Sequence, residues 1–279
     1  MLSNDLSAEN LGEVYKSFDI VGNIAIIRHP YGSQVNAKTV ANAIMSQHRN
    51  VKSVLLQTSA VKGDLRLRCF RCVAGENRTN TLHREFGCLY AVNVETCYFS
   101  PRLSHERMRI AKMVLTKETI INMFAGVGCF SIVIAKHAKP EKVFSIDINP
   151  AAYQFQLENI RLNRVYDKIT PLLGDSKKII INHLQHVADR VLMPLPEKAF
   201  EYLPLALLAL KPSGGWIHQY SFEHAKKNES PTKKIKIKVE EALRTLGATF
   251  EVPFIRVIRS TGPNWYQLVA DVRVTRKEH

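Results

Sequence analysis

The stretch "IINMFAGVGCFSIVIAKH" (120–137) constrains the fold more than any other part of the chain. Apolar residues run up to a turn holding Gly126 and Gly128, and an apolar helix follows directly. A strand apolar on both faces, handed to a helix through a tight turn, belongs to a parallel sheet covered on both sides. The pattern then repeats. "KVFSID" leads into "NPAAYQFQLENIRLN", and "ITPLLGD" and "HVADRVLM" read as further strands. "EYLPLALLAL" reads as a helix, "GGWIHQYSF" as a strand and "KIKVEEALRTLG" as a helix, before "TFEVPFIRVIRS" and "WYQLVADVRVT" close the chain as an antiparallel hairpin. Residues 118–279 are therefore expected to form a doubly wound, Rossmann-like α/β sheet.

Ahead of it, residues 1–117 read as a small α+β domain on the substrate side, with the division near "KET" at 117–119. "DIVGNIAIIRH" (19–29) and "VKSVLLQT" (51–58) are strands, and "NAKTVANAIMSQH" (36–48) has helical spacing. "DLRLRCFRCVAG" and "GCLYAVNVETCYF" alternate as strands on either side of a polar connection, "ENRTNTLHREF". "PRLSHERMRIAKMVL" (101–115) forms a connecting helix with Pro101 in its first turn.

A formal charge of +14 over 279 residues favours a polyanion or an anionic membrane surface. No run of eighteen apolar residues is present to cross a bilayer, and "MLSNDLSAEN" lacks the basic start and apolar run of a secretion signal. Five cysteines, an odd number in a chain large enough to need no staples, fit a reducing cytoplasm. "CFRC" (69–72) has metal-like spacing, but no second tight pair completes a site, so no metal is expected.

The glycine turn lets backbone approach a ligand and aims helix N–H groups at it. A dinucleotide fold expects a third glycine, and position 131 is Ser. A diphosphate is thereby disfavoured. Asp147 lies 21 residues beyond Gly126, at the end of the second strand, where a carboxylate receives both ribose hydroxyls. Asp175, at the end of the third, is placed to meet an adenine amino group. These spacings favour S-adenosylmethionine, with Phe124, Ala125, Gly126, Val127, Gly128, Asp147, Ile148, Asn149 and Asp175 as its binding residues. The plainer alternative has the glycines serving a packing turn and Asp147 capping the helix that starts at Pro150.

"DIVGNIAIIRHP", "AGENRTNTLHREFG", "CYFSPRLSHERMRIAKMV" and "NMFAGVGCFSIVIAKHA" together resemble the archaeal and eukaryotic tRNA guanine-N1 methyltransferases, which act on the guanosine 3′ of the anticodon, and their wybutosine-pathway relatives. The resemblance runs from about Tyr15 to Arg273. It implies a class I methyltransferase fold, S-adenosylmethionine as cofactor, tRNA as partner, a monomer, no membrane and no obligatory protein partner. It also implies that this chain starts almost directly at the family's second domain, without the tRNA-elbow domain of many archaeal members. By the same resemblance Glu106 is the general base for the N1 proton, Arg66 holds the guanine oxygen, and Tyr98, Arg68 and Arg102 line the substrate pocket. Two positions depart from the family pattern. Asn122 stands where Asp is usual, and Pro194 stands where an asparagine contacts the target base. Proline offers neither an amide side chain nor a backbone N–H there. Transfer of the aminocarboxypropyl group, or tRNA binding without catalysis, are the competing expectations. Phe86, Tyr98 and Trp265 are possible stacking partners for a base, and the six lysines between Lys226 and Lys238, against one glutamate, are a possible phosphate surface.

Overall fold

The computed structural model describes residues 18–28, 36–61 and 63–275. A four-stranded sheet opens the chain, in the order β1 (Asp19–Val21), β2 (Ile24–Ile27), β3 (Ser53–Gln57) and β4 (Phe70–Gly75). β1 and β2 are antiparallel, β2 and β3 parallel, and β3 and β4 antiparallel. The parallel pair needs a crossover, which helix α1 (Ala37–Gln47) supplies. Its Val40, Ala41 and Ile44 recur at helical spacing and pack on Ala25, Ile27, Val54 and Leu56 of the sheet.

A second unit is the hairpin of β5 (Asn80–Glu85) and β6 (Cys88–Asn93): β6 is the strand expected in "GCLYAVNVETCYF", while β5 occupies the segment expected to be a polar connection. Thr81 and Glu85 point inward from β5 while Leu82 is half exposed, the reverse of what hydropathy predicts. The inward polar groups find partners: Thr81 Oγ1 bonds to Asn23 Oδ1, and Glu85 pairs through Oε2 with buried Arg107, while its Oε1 has no partner among the described residues. "DLRLR" also differs from expectation. Residues 63–66 form a turn, with Arg66 in the left-handed region at φ 57°.

The large sheet follows helix α2 (Ser104–Met113) and runs in the order β12-β13-β11-β10-β7-β8-β9. Strands β7 (Thr119–Asn122), β8 (Lys142–Asp147), β9 (Ile169–Leu173), β10 (Arg190–Met193) and β11 (Gly214–His224) are parallel. β13 (Trp265–Thr275) inserts antiparallel between β11 and β12 (Thr249–Gly262). Helices α3 (Cys129–His137) and α4 (Pro150–Asn163) share one apolar core with residues of α2. Helices α5 (Ser176–His183), α6 (Ala199–Ala209) and α7 (Pro231–Thr245) bury theirs against the opposite face. This is the class I methyltransferase sheet, preceded by a small α+β domain.

The β5–β6 hairpin is held to this layer by α4. Asn159 and Asn163 imitate a neighbouring strand: their side-chain oxygens accept from the N–H groups of Ala91 and Leu89, and their amides donate to the carbonyls of the same two residues. Strand order reverses between β7 and β10, and the crevice beyond the strand ends at that point is where open α/β sheets bind ligands.

Candidate active site

Two clefts meet at this crevice. The first encloses about 760 Å³ of empty space, open solvent at its mouth included. Its walls come from the turns after β7, β8, β9 and β10: Phe124 and Gly126, Asp147 to Asn149, Gly174 to Ser176, and Pro194 with Leu195. Gly126 has φ 57° and Gly128 φ 90°, conformations that favour glycine, and Gly128 opens α3 as its N-cap. A Cβ at Gly128 would lie 3.1 Å from both Gln156 and Ile132. Ser131, in place of a third glycine, is buried and bonds to Ser145 and Asn122. The Ser that removes the dinucleotide signature thus ties α3 to β7 and β8.

Asp147 sits at the mouth of β8. Its Oδ2 accepts from Gly126 N at 2.6 Å and its Oδ1 from Asn149 N at 2.9 Å. Burial pushes its carboxyl above the ordinary value, against the pull of those two hydrogen bonds. Each oxygen retains acceptor capacity, as a pair of ribose hydroxyls requires. Asp147 does not cap α4; Asn149 does, accepting from Ala151 N and donating its amide to Thr96 O. Asn149 lines the cleft with its side chain engaged in the fold. Asp175 caps α5 through Lys177 N and accepts from the Tyr202 hydroxyl at 3.1 Å. Tyr202 in turn meets the edge of Phe124. Phe124, half-exposed Ile148 and Leu195 give the cleft apolar walls suited to a planar ring.

Of the residues expected to hold a cofactor, Phe124, Gly126, Asp147, Ile148, Asn149 and Asp175 line this cleft. Ala125, Val127 and Gly128 do not. Ala125 N bonds to Ile146 O, and Val127 O accepts from Asn159, so these residues shape the turn from behind.

The second cleft lies between the small domain and the β12–β13 hairpin. Arg28, Arg66, Arg68, Arg102 and Arg259 line it, against Asp19 and Glu197. Arg66 and Tyr98 line both clefts and form their common wall. The Arg66 guanidinium lies 4.0 Å from the centre of the Tyr98 ring, in cation–π contact, and pairs with Glu197 at 3.3 Å. Burial raises the Tyr98 phenol, but Arg66, Arg259 and Arg68 outweigh it and hold the group below its ordinary value. Arg102 is tied to Asp19 at 2.5 Å. Arg259 was not among the expected site residues. It lies on a long alternating strand that offers no motif, and only the folded hairpin brings it to Tyr98 across 161 residues.

Glu106, expected as the general base, lines neither cleft. It is 1% exposed, and Arg109 Nε and Nη2, Arg256 Nη2 and the Tyr220 hydroxyl donate to its two oxygens. A carboxylate has about four lone-pair sites, so all of them are engaged in this arrangement. Arg109 continues the network to Asp271, which accepts from His218 Nδ1. Burial lowers His218 despite Asp271, and Arg190 donates to its Nε2, which fixes the neutral imidazole with its proton on Nδ1. Pro194 lines the first cleft and, lacking a backbone N–H, offers it no donor.

The other expected features fall outside the clefts. Trp265 is half exposed at the hairpin tip, edge-on to His224, and Phe86 packs against His105. Cys69 and Cys72 are free thiols, and among the described residues no cluster of His, Cys, Asp or Glu is placed to hold a metal. Among the described residues no helix is long and apolar enough to cross a membrane.

Comparison with known proteins agrees with this architecture. Residues 81–246 match the TRM5/TYW2 methyltransferase domain, and residues 1–79 match the TYW2 N-terminal domain. The chain is 42% identical to the tRNA (guanine(37)-N(1))-methyltransferase Trm5b of Pyrococcus abyssi, over 93% of this chain and 75% of the relative. The crystal structure of that protein superposes with a TM-score of 0.85, covering 97% of this chain and 78% of the other at 41% identity. The tRNA 4-demethylwyosine(37)-methyltransferase Taw21 of Saccharolobus solfataricus is 36% identical, over 94% of this chain and 95% of its own length. Trm5 of Methanocaldococcus jannaschii, solved in complex with adenosine, gives a TM-score of 0.78 at 31% identity, covering 97% of this chain and 78% of that one. With both domains matched, the chain belongs to the TRM5/TYW2 family of methyltransferases.

Proposed function

We propose that the protein transfers a methyl group from S-adenosylmethionine to N1 of the guanosine immediately 3′ of a tRNA anticodon. The observation that carries this reading is the common wall: Arg66 and Tyr98 face both the Asp147 cleft and the arginine-lined cleft, so a base in one meets a cofactor in the other. The names of the relatives supply the class of base and its position. S-adenosylmethionine, when bound, supplies an electrophilic methyl group.

The chain's own residues do the rest. Asp147 receives the ribose hydroxyls, Asp175 the adenine amino group, and Phe124, Ile148 and Leu195 enclose the ring. Arg66 directs its guanidinium at guanine O6, where negative charge grows as N1 loses its proton. By the family resemblance Glu106 takes that proton, which requires Arg256 to leave its Oε2 and the carboxylate to reach the base. Arg256 is the partner that can leave most readily, with 37% of its side chain exposed against 19% for Arg109. Removing the proton to a carboxylate as the N–C bond forms leaves a neutral methylated base.

A second reading, methylation of 4-demethylwyosine at the same position, is favoured by the end-to-end match to Taw21 and by Pro194, which shapes the wall without a donor for a guanine edge. One experiment separates these. Unmodified tRNA and tRNA carrying 4-demethylwyosine are each incubated with S-adenosylmethionine labelled in its methyl or its aminocarboxypropyl group. Nucleosides are then analysed by mass spectrometry. Methyl label in guanosine of the unmodified tRNA supports the first reading, and methyl label only in the tricyclic base selects the second. Aminocarboxypropyl label in either overturns both.

A further inference from the structure

The arginine-lined cleft holds more positive charge than recognition of a neutral base requires. Five arginines face two carboxylates, and the carboxylates are already engaged by Arg102 and Arg66. Arg68 and Arg259 have no carboxylate partner among the described residues. Arg68 donates only to the Gln57 side-chain oxygen and the Phe99 carbonyl, both at 3.4 Å. Arg259 donates to Gln267 Oε1 at 2.7 Å, Ser100 Oγ at 3.1 Å and the Tyr98 hydroxyl at 3.3 Å, all neutral groups. Arg68 is buried, 8% exposed, and Arg66 Nε is buried without an acceptor among the described residues.

Two groups in the cleft respond to the same imbalance. Burial lowers Arg68 from its ordinary value; Tyr98 and Asp19 oppose that, and Arg28 and Arg66 add to it. Tyr98, as above, is drawn down by its three arginines in spite of burial. Arg68, buried with only neutral acceptors, and half-buried Arg259, also with only neutral acceptors, are incompletely compensated, and an anion supplies what is missing. Ser260 and Thr261, which follow Arg259, also line the cleft, their hydroxyls donating to carbonyls of the hairpin.

We infer that this cleft seats a backbone phosphodiester adjoining the target nucleoside, with Arg68 from the small domain and Arg259 from the C-terminal hairpin as its clamp. The inference rests on the proposed reading that the substrate is RNA. It places the ribose and phosphate in the second cleft and the base at the Arg66–Tyr98 wall, facing the cofactor cleft. A nucleotide spanning the two would draw the small domain and the sheet's last hairpin onto one ligand.

The test uses full-length protein with S-adenosylhomocysteine and tRNA assembled by ligation, carrying a neutral methylphosphonate at one or the other phosphate flanking the target guanosine. Affinity is measured by fluorescence anisotropy for wild type, Arg259→Gln and Arg259→Lys. For one of the two positions, wild type is expected to lose about tenfold on neutralisation. Arg259→Gln is expected to lose a similar factor with intact tRNA and nothing further with the neutralised one. Its log–log salt slope should fall by about one. Arg259→Lys should recover only part of the loss, because it restores the charge without the fork. Losses that multiply independently at both positions would overturn the clamp, as would equal binding of intact and neutralised tRNA. Weakened S-adenosylhomocysteine binding in folded Arg259→Gln would assign the anion to the cofactor carboxylate instead, which also overturns it. Because binding is read without turnover, failure of the methylation reading registers separately in the nucleoside assay.

Discussion

Glu106 illustrates how a residue's chemistry is set by what reaches its lone pairs. With two arginines and a tyrosine on one carboxylate, it anchors α2 to β11 and β12 as the chain stands. Base catalysis from that position requires a partner to leave, and Arg256 is the half-exposed one. Glu106→Gln should therefore cut single-turnover methyl transfer at saturating tRNA by roughly 10²-fold or more, with S-adenosylmethionine affinity unchanged, since Glu106 touches no wall of that cleft. Arg256→Gln should leave the saturated rate equal to or above wild type, because the carboxylate is released before the base arrives. A rate that falls in Arg256→Gln as steeply as in Glu106→Gln would show that Arg256 orients the carboxylate for catalysis, and the displacement step would be withdrawn. The measurement is rapid-quench single turnover on both variants, with cofactor affinity by calorimetry as the control.

At the scale of elements, the sequence disclosed what was apolar and concealed what was polar and buried. Strands β7 to β11 and their helices are legible because parallel strands are apolar on both faces, and Gly126 and Asp147 mark the crevice by spacing alone. β5 is not legible: Thr81, His83 and Glu85 face inward and bond to groups dozens of residues away, so alternation of hydropathy carries no signal. For the same reason Arg259 is invisible before folding, since what makes it part of a site is the approach of distant elements, and Arg66, named by resemblance, sits on a turn that reads as a strand. The buried polar strand has a measurable consequence. His83 Nδ1 accepts from Gly22 N at 3.0 Å, which holds the hairpin to the β1–β2 turn. Burial, reinforced by Arg107, brings His83 down from 6.5 to about 4. Glu85 lies 3.9 Å from its Nε2, beyond hydrogen-bond reach. Between about pH 6.5 and about pH 4 the unfolded chain binds a proton that the folded chain refuses, so stability is complete above this window and falls as pH drops through it. The contribution is about 1–2 kcal/mol, less than the full shift because the ring is partly solvated. Denaturant unfolding at about pH 7 and about pH 4.5 should show a smaller loss for His83→Gln than for wild type. An equal loss in both would assign the acid sensitivity elsewhere.

Across the whole molecule, the +14 charge suggests a broad phosphate-binding surface, and the lysine-rich segment from Lys226 to Lys238 suggests where it lies. The fold uses part of that segment differently. Glu223, 4% exposed on β11, is bonded by Lys238 at 2.6 Å and has Lys234 at 3.9 Å, while Lys234 also donates to the His224 carbonyl and to Glu229. Lys236 pairs along α7 with Glu240. These cations neutralise the protein's own carboxylates, so replacing them should change stability more than tRNA binding. In a Lys234→Gln, Lys238→Gln double variant, Glu223 keeps its charge in a buried position without either cation, which costs about 2 kcal/mol; the lysines are partly exposed, so the penalty is below that of a fully buried pair. Affinity for tRNA, measured on the folded fraction, should stay within about twofold of wild type, with the salt slope nearly unchanged. Arg259→Gln should do the opposite, lowering the slope while leaving the melting temperature close to wild type. If the double lysine variant instead retains full stability and its salt slope drops by about two, those lysines contact phosphates directly and the binding surface extends across α7. The comparison thus decides whether tRNA is gripped by an arginine cleft beside the reacting base or by a wide basic face of the sheet domain.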